Sequence, residues 1–150
     1  MLPMLPAPPT PSPLRRVVAL LLCVVLSFAL SACGAAQPSQ KVLLSALALQ
    51  IDLTQRSIAE ALQLSPADGM PQVSRVRVES QQEMAIGGSK GLHLTGRFDW
   101  RLAGDPIRVD SAFDLYLQRG ERGQSWRLAR PSGSSDGAMQ DWIIDPLPIV

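Results

Sequence analysis

Between Leu64 and Val73 the apolar residues stop recurring every three or four positions and begin recurring every second one. A helix brings positions i, i+3, i+4 and i+7 to one face, whereas a strand turns successive side chains to opposite faces. The switch therefore predicts one helical segment followed by strands, an α+β order. In residues 41–64, Leu44, Leu47, Ile51, Ile58 and Leu62 fall on helical spacings with no internal Gly or Pro. Ser39 can cap the start, and Pro66 stops the run. Leu47, Leu49, Ile51 and Leu53 also alternate with period two, but the alanines at 46, 48, 59 and 61 and the length of the segment favour a helix.

Downstream, Val76, Val78, Met84 and Ile86 share one parity and define a half-buried strand, with Gln81-Gln82 a candidate bulge. Gly87-Gly88-Ser89-Lys90-Gly91 makes a hairpin loop. Leu92, Leu94, Phe98, Trp100 and Leu102 then point inward, against His93, Thr95, Arg97, Asp99 and Arg101 outward. Gly96 sits on the inward parity, where it permits a kink or a close helix contact. After Gly104-Asp105-Pro106 the pattern continues with Ile107, Val109, Phe113, Leu115 and Leu117. Trp126 and Leu128 form a fourth, shorter strand that Pro131 ends. Strands joined by such short loops pair antiparallel, because parallel neighbours need crossovers of a dozen or more residues. The expected body is one N-terminal amphipathic helix on a four-stranded antiparallel meander, with an extended C-terminal tail. Its element order resembles the cystatin-like architecture.

Location is written upstream. Arg15 and Arg16 precede a stretch, 17–30, without a charged residue, the layout of an export signal. The stretch falls short of the roughly 20 apolar residues that span a ~30 Å hydrocarbon core. It ends in Leu30-Ser31-Ala32-Cys33, which resembles the bacterial lipobox. That resemblance implies diacylation of the Cys33 thiol, cleavage before it and further acylation of the new amino terminus. Cys23, mid-run and without small residues before it, leaves with the signal. Two or three acyl chains hold a protein on a bilayer where one does not. The organisation expected is a signal peptide at 1–32, a lipidated tether at 33–40, the helix-plus-sheet domain at 41–131, and a Gly/Ser-rich loop with an apolar tail at 132–150. The tether's seven or so residues reach roughly 25 Å, keeping the domain near the lipid surface.

The sequence carries 14 Lys and Arg against 13 Asp and Glu. Losing Arg15 and Arg16 turns its net +1 into a single negative charge. Arg and Asp are interleaved, not clustered, which argues against a nucleic-acid partner. With Cys33 acylated, the mature chain has neither disulfide nor free thiol. His93 is the one histidine, so no zinc or copper site of ordinary ligand count, and no other cofactor site, is expected. A Ser-His-Asp set could draw on His93 with Asp99 or Asp114, but no nucleophile turn accompanies it. The charged faces of the strands read as cross-strand pairs. The Gly87–Gly91 loop joins two strands, not a strand to a helix, so it is no phosphate cradle. No catalytic residue is expected.

One further resemblance completes the expectations. The segments Ser45-Ala46-Leu47-Ala48-Leu49-Gln50-Ile51-Asp52-Leu53-Thr54-Gln55, Gln72-Val73-Ser74-Arg75-Val76, Phe113-Asp114-Leu115-Tyr116-Leu117-Gln118 and Ser125-Trp126-Arg127-Leu128-Ala129-Arg130-Pro131, with the strand over 92–102, are similar to a family of small cyanobacterial lipoproteins without assigned activity. This implies a membrane surface facing the periplasm or thylakoid lumen, and supplies no site residues. The tail, with Trp142, Ile143, Ile144 and Leu147, either lies back on the domain or docks on a partner. The function expected is a non-catalytic binding or accessory module of a membrane complex, attached to lipid through Cys33 and to a membrane protein partner. The alternative is a carrier holding a small apolar ligand between helix and sheet.

Overall fold

A computed structural model describes residues 12–14, 17–18, 37–122, 125–134, 137 and 139–148. The chain divides into two units, Met1–Ala36 and Gln37–Val150, and the elements named below belong to the second. Cys33 and the apolar run at 19–30 lie outside the described residues.

The helix α1 spans Gln40–Ala61. Ser39 caps it, its Oγ accepting from the Val42 amide at 3.3 Å. Its exit is earlier than Pro66 required. Gln63 adopts φ 55°, and the amides of Gln63 and Leu64 donate back to the carbonyls of Glu60 and Ala59. This is a Schellman closure made with glutamine in place of glycine. Leu43, Ala46 and Leu47 are buried, while Ile58 and Leu62, expected on the same stripe, are 47% and 62% exposed.

Five strands follow, β1 (Gln72–Ile86), β2 (Ser89–Arg101), β3 (Arg108–Arg119), β4 (Trp126–Gly133) and β5 (Asp141–Pro146), in one antiparallel sheet of order β1-β2-β3-β4-β5. The four-strand expectation is corrected by β5, whose residues were assigned to a tail. Pro131 does not end β4, which runs to Gly133. The reason is local: β4 pairs with β3 only over Trp126–Ala129, so beyond Ala129 its sole strand partner among the described residues is β5. A proline without an N–H is tolerated on such a one-sided strand. The Arg130 guanidinium pairs with Asp145 at 2.8 Å across the β4–β5 ladder.

The main core lies between α1 and one face of the sheet. Leu43 and Leu47 meet Leu92, Leu94 and Phe98 of β2, Phe113, Leu115 and Leu117 of β3, and Leu128 of β4. Full burial of each large side chain contributes roughly 1.5 to 3 kcal/mol. Gly96 is essential to this packing. The Phe113 ring stands over it and meets Phe98 edge to face, centroids 5.7 Å apart. The turn between β1 and β2 is only Gly87-Gly88, with φ of 56° and 79°, and Ser89 already pairs with Ile86. Two positive φ values suit the mirror-image turn that closes a two-residue hairpin.

Departures from simple alternation are concentrated around Asp99. The β1–β2 register shifts between Ser74 and Arg77 and again between Val78 and Ser80, not at Gln81-Gln82, which pair regularly with Leu94 and His93. The β2–β3 register shifts between Phe98 and Trp100. Arg75 and Asp110 take φ of 50° and 53°, costly for non-glycine residues. Each bulge reverses parity beyond it. Hence Ile107 and Val109, expected inward, are 53% and 61% exposed. Val78 and Met84 are likewise exposed, and Ile86, though buried, packs outside the α1 core and over Gly91.

Candidate functional site

Asp99 was expected on the solvated face and is instead 3% exposed. One carboxylate oxygen accepts the Asp110 amide at 2.8 Å, and the other pairs with Arg75 Nε at 2.7 Å. The two strained residues, one on each neighbouring strand, are thus both held by this one side chain. Arg77 pairs with Asp110, whose carbonyl accepts from Arg97 at 3.1 Å. Every charge named here has an opposite partner, and the Asp99 contacts pin the bulges at Arg75 and Asp110 in place, two of the three register shifts. It offers neither an unpaired cation nor an activated nucleophile.

A second group lies on the face opposite α1. Leu117 and Leu128 pair across β3 and β4 on the core side, so Tyr116, Ala129 and Ile144, paired in the adjacent register, share the other side. Tyr116 stacks flat on its β2 neighbour His93, centroids 4.4 Å apart, and Trp142 meets Tyr116 edge-on at 5.0 Å. His93 Nε2 and Asp114 Oδ1 share a hydrogen bond of 2.6 Å. Of the two aspartates considered for His93, Asp114 is therefore the partner and Asp99 is not. Burial, and then the Asp114 charge, raise the Tyr116 pKa, so its hydroxyl stays protonated further into alkali than a free tyrosine. The four tail residues divide. Trp142 and Ile144 lie on this face, Ile143 is 45% exposed, and Leu147 packs on the core.

The third place is the seam between α1 and the free side of β3. Beyond Tyr116 toward its start, β3 has no strand partner on the β4 side among the described residues. Continuing the β3–β4 register two residues past Tyr116–Ala129 sets Pro131 opposite Asp114. Proline has no amide hydrogen to give, and the Asp114 carbonyl instead accepts from Gln50 Nε2 of α1 at 3.1 Å. The opening left is a groove of about 290 Å³, lined by Leu47, Gln50 and Ile51 above and by Phe98, Trp100 and Phe113 below. Arg108 lies 5.1 Å from the Trp100 ring centre. Gln50 Oε1 is buried and, among the described residues, accepts no hydrogen bond. Nothing in the sequence singled out Gln50. The nearest signal was a polar residue one position before Ile51 on the buried stripe.

Among the described residues no group of three or more His, Cys, Asp or Glu converges, and no helix is long and apolar enough to cross a membrane. Comparison with protein-family models, curated proteins and solved structures finds no match to this chain. Its reading rests on the residues themselves.

Proposed function

We propose that this chain is a lipoprotein attached through acylated Cys33 to a membrane surface facing the periplasm or thylakoid lumen, where it acts as a non-catalytic binding or accessory module of a membrane complex. Its body is read as a cystatin-like arrangement, α1 gripped by the curved meander. The observation that carries the binding role is the ordered His93-Tyr116-Trp142 row on the sheet face opposite α1. Rigid aromatic side chains bury much area at little entropic cost, which is why they anchor protein interfaces. The C-terminal strand belongs to this surface through Trp142 and Ile144 of β5, whereas Ile143 and Leu147 are turned away from it.

The test is crosslinking in native membranes followed by recovery through a carboxyl-terminal tag. One membrane protein should be recovered in defined proportion, and Trp142→Ala should lose it while the fold persists. Recovery of the protein always alone, in mild detergent and after crosslinking alike, contradicts the proposal. The carrier reading is favoured by a different observation, the groove of about 290 Å³ between α1 and β3.

A further inference from the structure

Charges that are interleaved along the sequence are sorted by the fold. Leu92, Leu117 and Leu128 stand side by side across β2, β3 and β4. Beyond this row, toward the β1–β2 and β3–β4 turns, lie Lys90, Arg119, Arg122 and Arg127 against one acid, Glu121. Glu83 and Asp145 stand in the row itself, and Asp145 is held by Arg130. The other eight Lys and Arg of residues 33–150 share the rest of that stretch with twelve Asp and Glu. One end of the sheet is thus cationic on a body that is otherwise acidic. We infer that this end is a second membrane contact, lying on an anionic phospholipid surface with Lys90, Arg122 and Arg127 against the phosphates. The inference rests on the Cys33 anchor reading and deepens it by giving the orientation in which the anchor holds the body.

Reach and charge both choose lipid as the occupant. Under the anchor reading only residues 34–36 separate Cys33 from Gln37, a span of at most ~14 Å. Leu43 and Leu94 line one groove, and Ile51 and Trp100 another, so α1 runs along β2 away from the β1–β2 turn. Its start therefore belongs to the half of the body that holds the cationic end. Lys90 is four residues from Leu94, about 13 Å along the strand. The last turn of α1, a helix of 22 residues, is ~33 Å from the first. A tether this short keeps the start of α1 at the lipid, and the freedom left to the body is which side of that start turns down. An anionic surface draws the end with four cations and repels the acidic remainder.

The side chains at this end suit the contact. Lys90, Arg122 and Arg127 are exposed, and among the described residues none of them forms an ion pair. Each cation close to an anionic leaflet strengthens attachment roughly fivefold, so the three together allow a preference of up to about a hundredfold. Arg119 lies 5.4 Å from the Trp126 ring centre. An indole is thereby set at the same end, and indoles are enriched at membrane–water boundaries. The Trp142 surface stays clear of the lipid in this orientation, since Trp142 pairs with Pro131 on the other side of the leucine row.

The test uses the natural protein, purified from its membrane and placed in nanodiscs of phosphatidylcholine, alone or in equal parts with phosphatidylglycerol. Each disc holds a trace of phospholipid with a photoactivatable headgroup, and labelled peptides are mapped by mass spectrometry. In anionic discs, residues 87–91 and 119–127 should take at least tenfold more label than residues 102–109, which close the opposite end of the sheet. The preference should fall severalfold in neutral discs, and also in about 1 M salt, where the screening length is ~3 Å. Lys90→Gln, Arg122→Gln and Arg127→Gln combined should remove it while Tm and attachment to neutral discs are kept. Equal labelling of the two ends in anionic discs, or a preference indifferent to phosphatidylglycerol and salt, overturns the inference. So does a triple variant with unchanged labelling that loses the crosslinked membrane protein, because the cations would then serve that partner. Should the variant fold poorly, the wild-type comparison of lipids and salt still decides. Failure of the natural protein to stay with neutral discs sinks the anchor and this inference together, whereas attachment without a preferred end sinks the inference alone.

Discussion

Gly96→Ala is the substitution with the most sharply defined consequence. A Cβ at Gly96 would stand 2.0 Å from the Arg77 carbonyl oxygen and 2.9 Å from two atoms of the Phe113 ring. The ring cannot retreat easily, being 7% exposed and packed on Phe98. The carbonyl belongs to the β1 backbone between two register shifts, so relieving the clash means moving β1 from β2 by more than about 1 Å beyond ordinary contact. In a strand of ordinary geometry, alanine in place of glycine stabilises by about 0.5 to 1 kcal/mol. Overpacking here exceeds that gain, because such insertions cost typically 1 to 3 kcal/mol and this one strikes backbone. With the cost at the upper end of that range, a net loss of about 2 kcal/mol is expected, a fall in Tm of about 8 °C or more for a domain of this size. Urea unfolding of the wild type and the variant measures it. Val78→Ala, directly opposite Gly96 and exposed, is the control and should cost under about 1 kcal/mol. Adding Phe113→Leu to Gly96→Ala removes the ring contact but not the carbonyl contact, and should not restore stability. A Gly96→Ala protein within about 0.5 kcal/mol of wild type, or more stable than it, refutes the packing described.

Other perturbations are equally specific. Leu115→Ala, at a position with 0% exposure in the middle of β3, should cost about 2 to 5 kcal/mol by calorimetry or urea unfolding. Asp99→Ala leaves the Asp110 amide without its acceptor and should cost about 1 to 3 kcal/mol, with hydrogen exchange at Asp110 accelerated. The Tyr116 pKa is raised in the folded state, so its contribution is fully present below the unfolded value near 10 and is lost as pH rises through the folded value. Stability should therefore fall above about pH 10, and Tyr116→Phe should flatten that part of the profile. Deleting residues 141–150 removes β5 and the Leu147 contact, and should lower thermal stability even in the isolated protein. Unchanged stability would instead favour a segment held in reserve for a partner.

What the sequence discloses differs by element. The α1 stripe was readable because Leu47 and Ile51 recur at helical spacing under an ordinary serine cap. The last turns misled, since Ile58 and Leu62 continue the period although their side chains remain exposed. Strand β2 was readable through Phe98 because no bulge interrupts Leu92, Leu94 and Phe98. At Asp99 the reading broke, for the bulges fall on Arg75 and Asp110, and neither residue type announces a positive φ as glycine does. Their cause is the buried Asp99 carboxylate, whose partners lie on different strands. Pro131 and Pro146 concealed the β4–β5 pair, because the harm a proline does depends on which side of a strand is paired, and that is a property of the whole sheet. The groove was equally hidden, since the orphaned oxygen of Gln50 exists only because Asp114 claims its amide.

The proposed anchor is the claim on which location and role both depend, and intact-mass analysis of the natural protein extracted from its membrane tests it most directly. The account predicts a chain beginning at Cys33 and bearing the mass of two or three acyl chains, releasable in part by base. A chain that begins upstream of Cys33 and carries no acyl mass contradicts it.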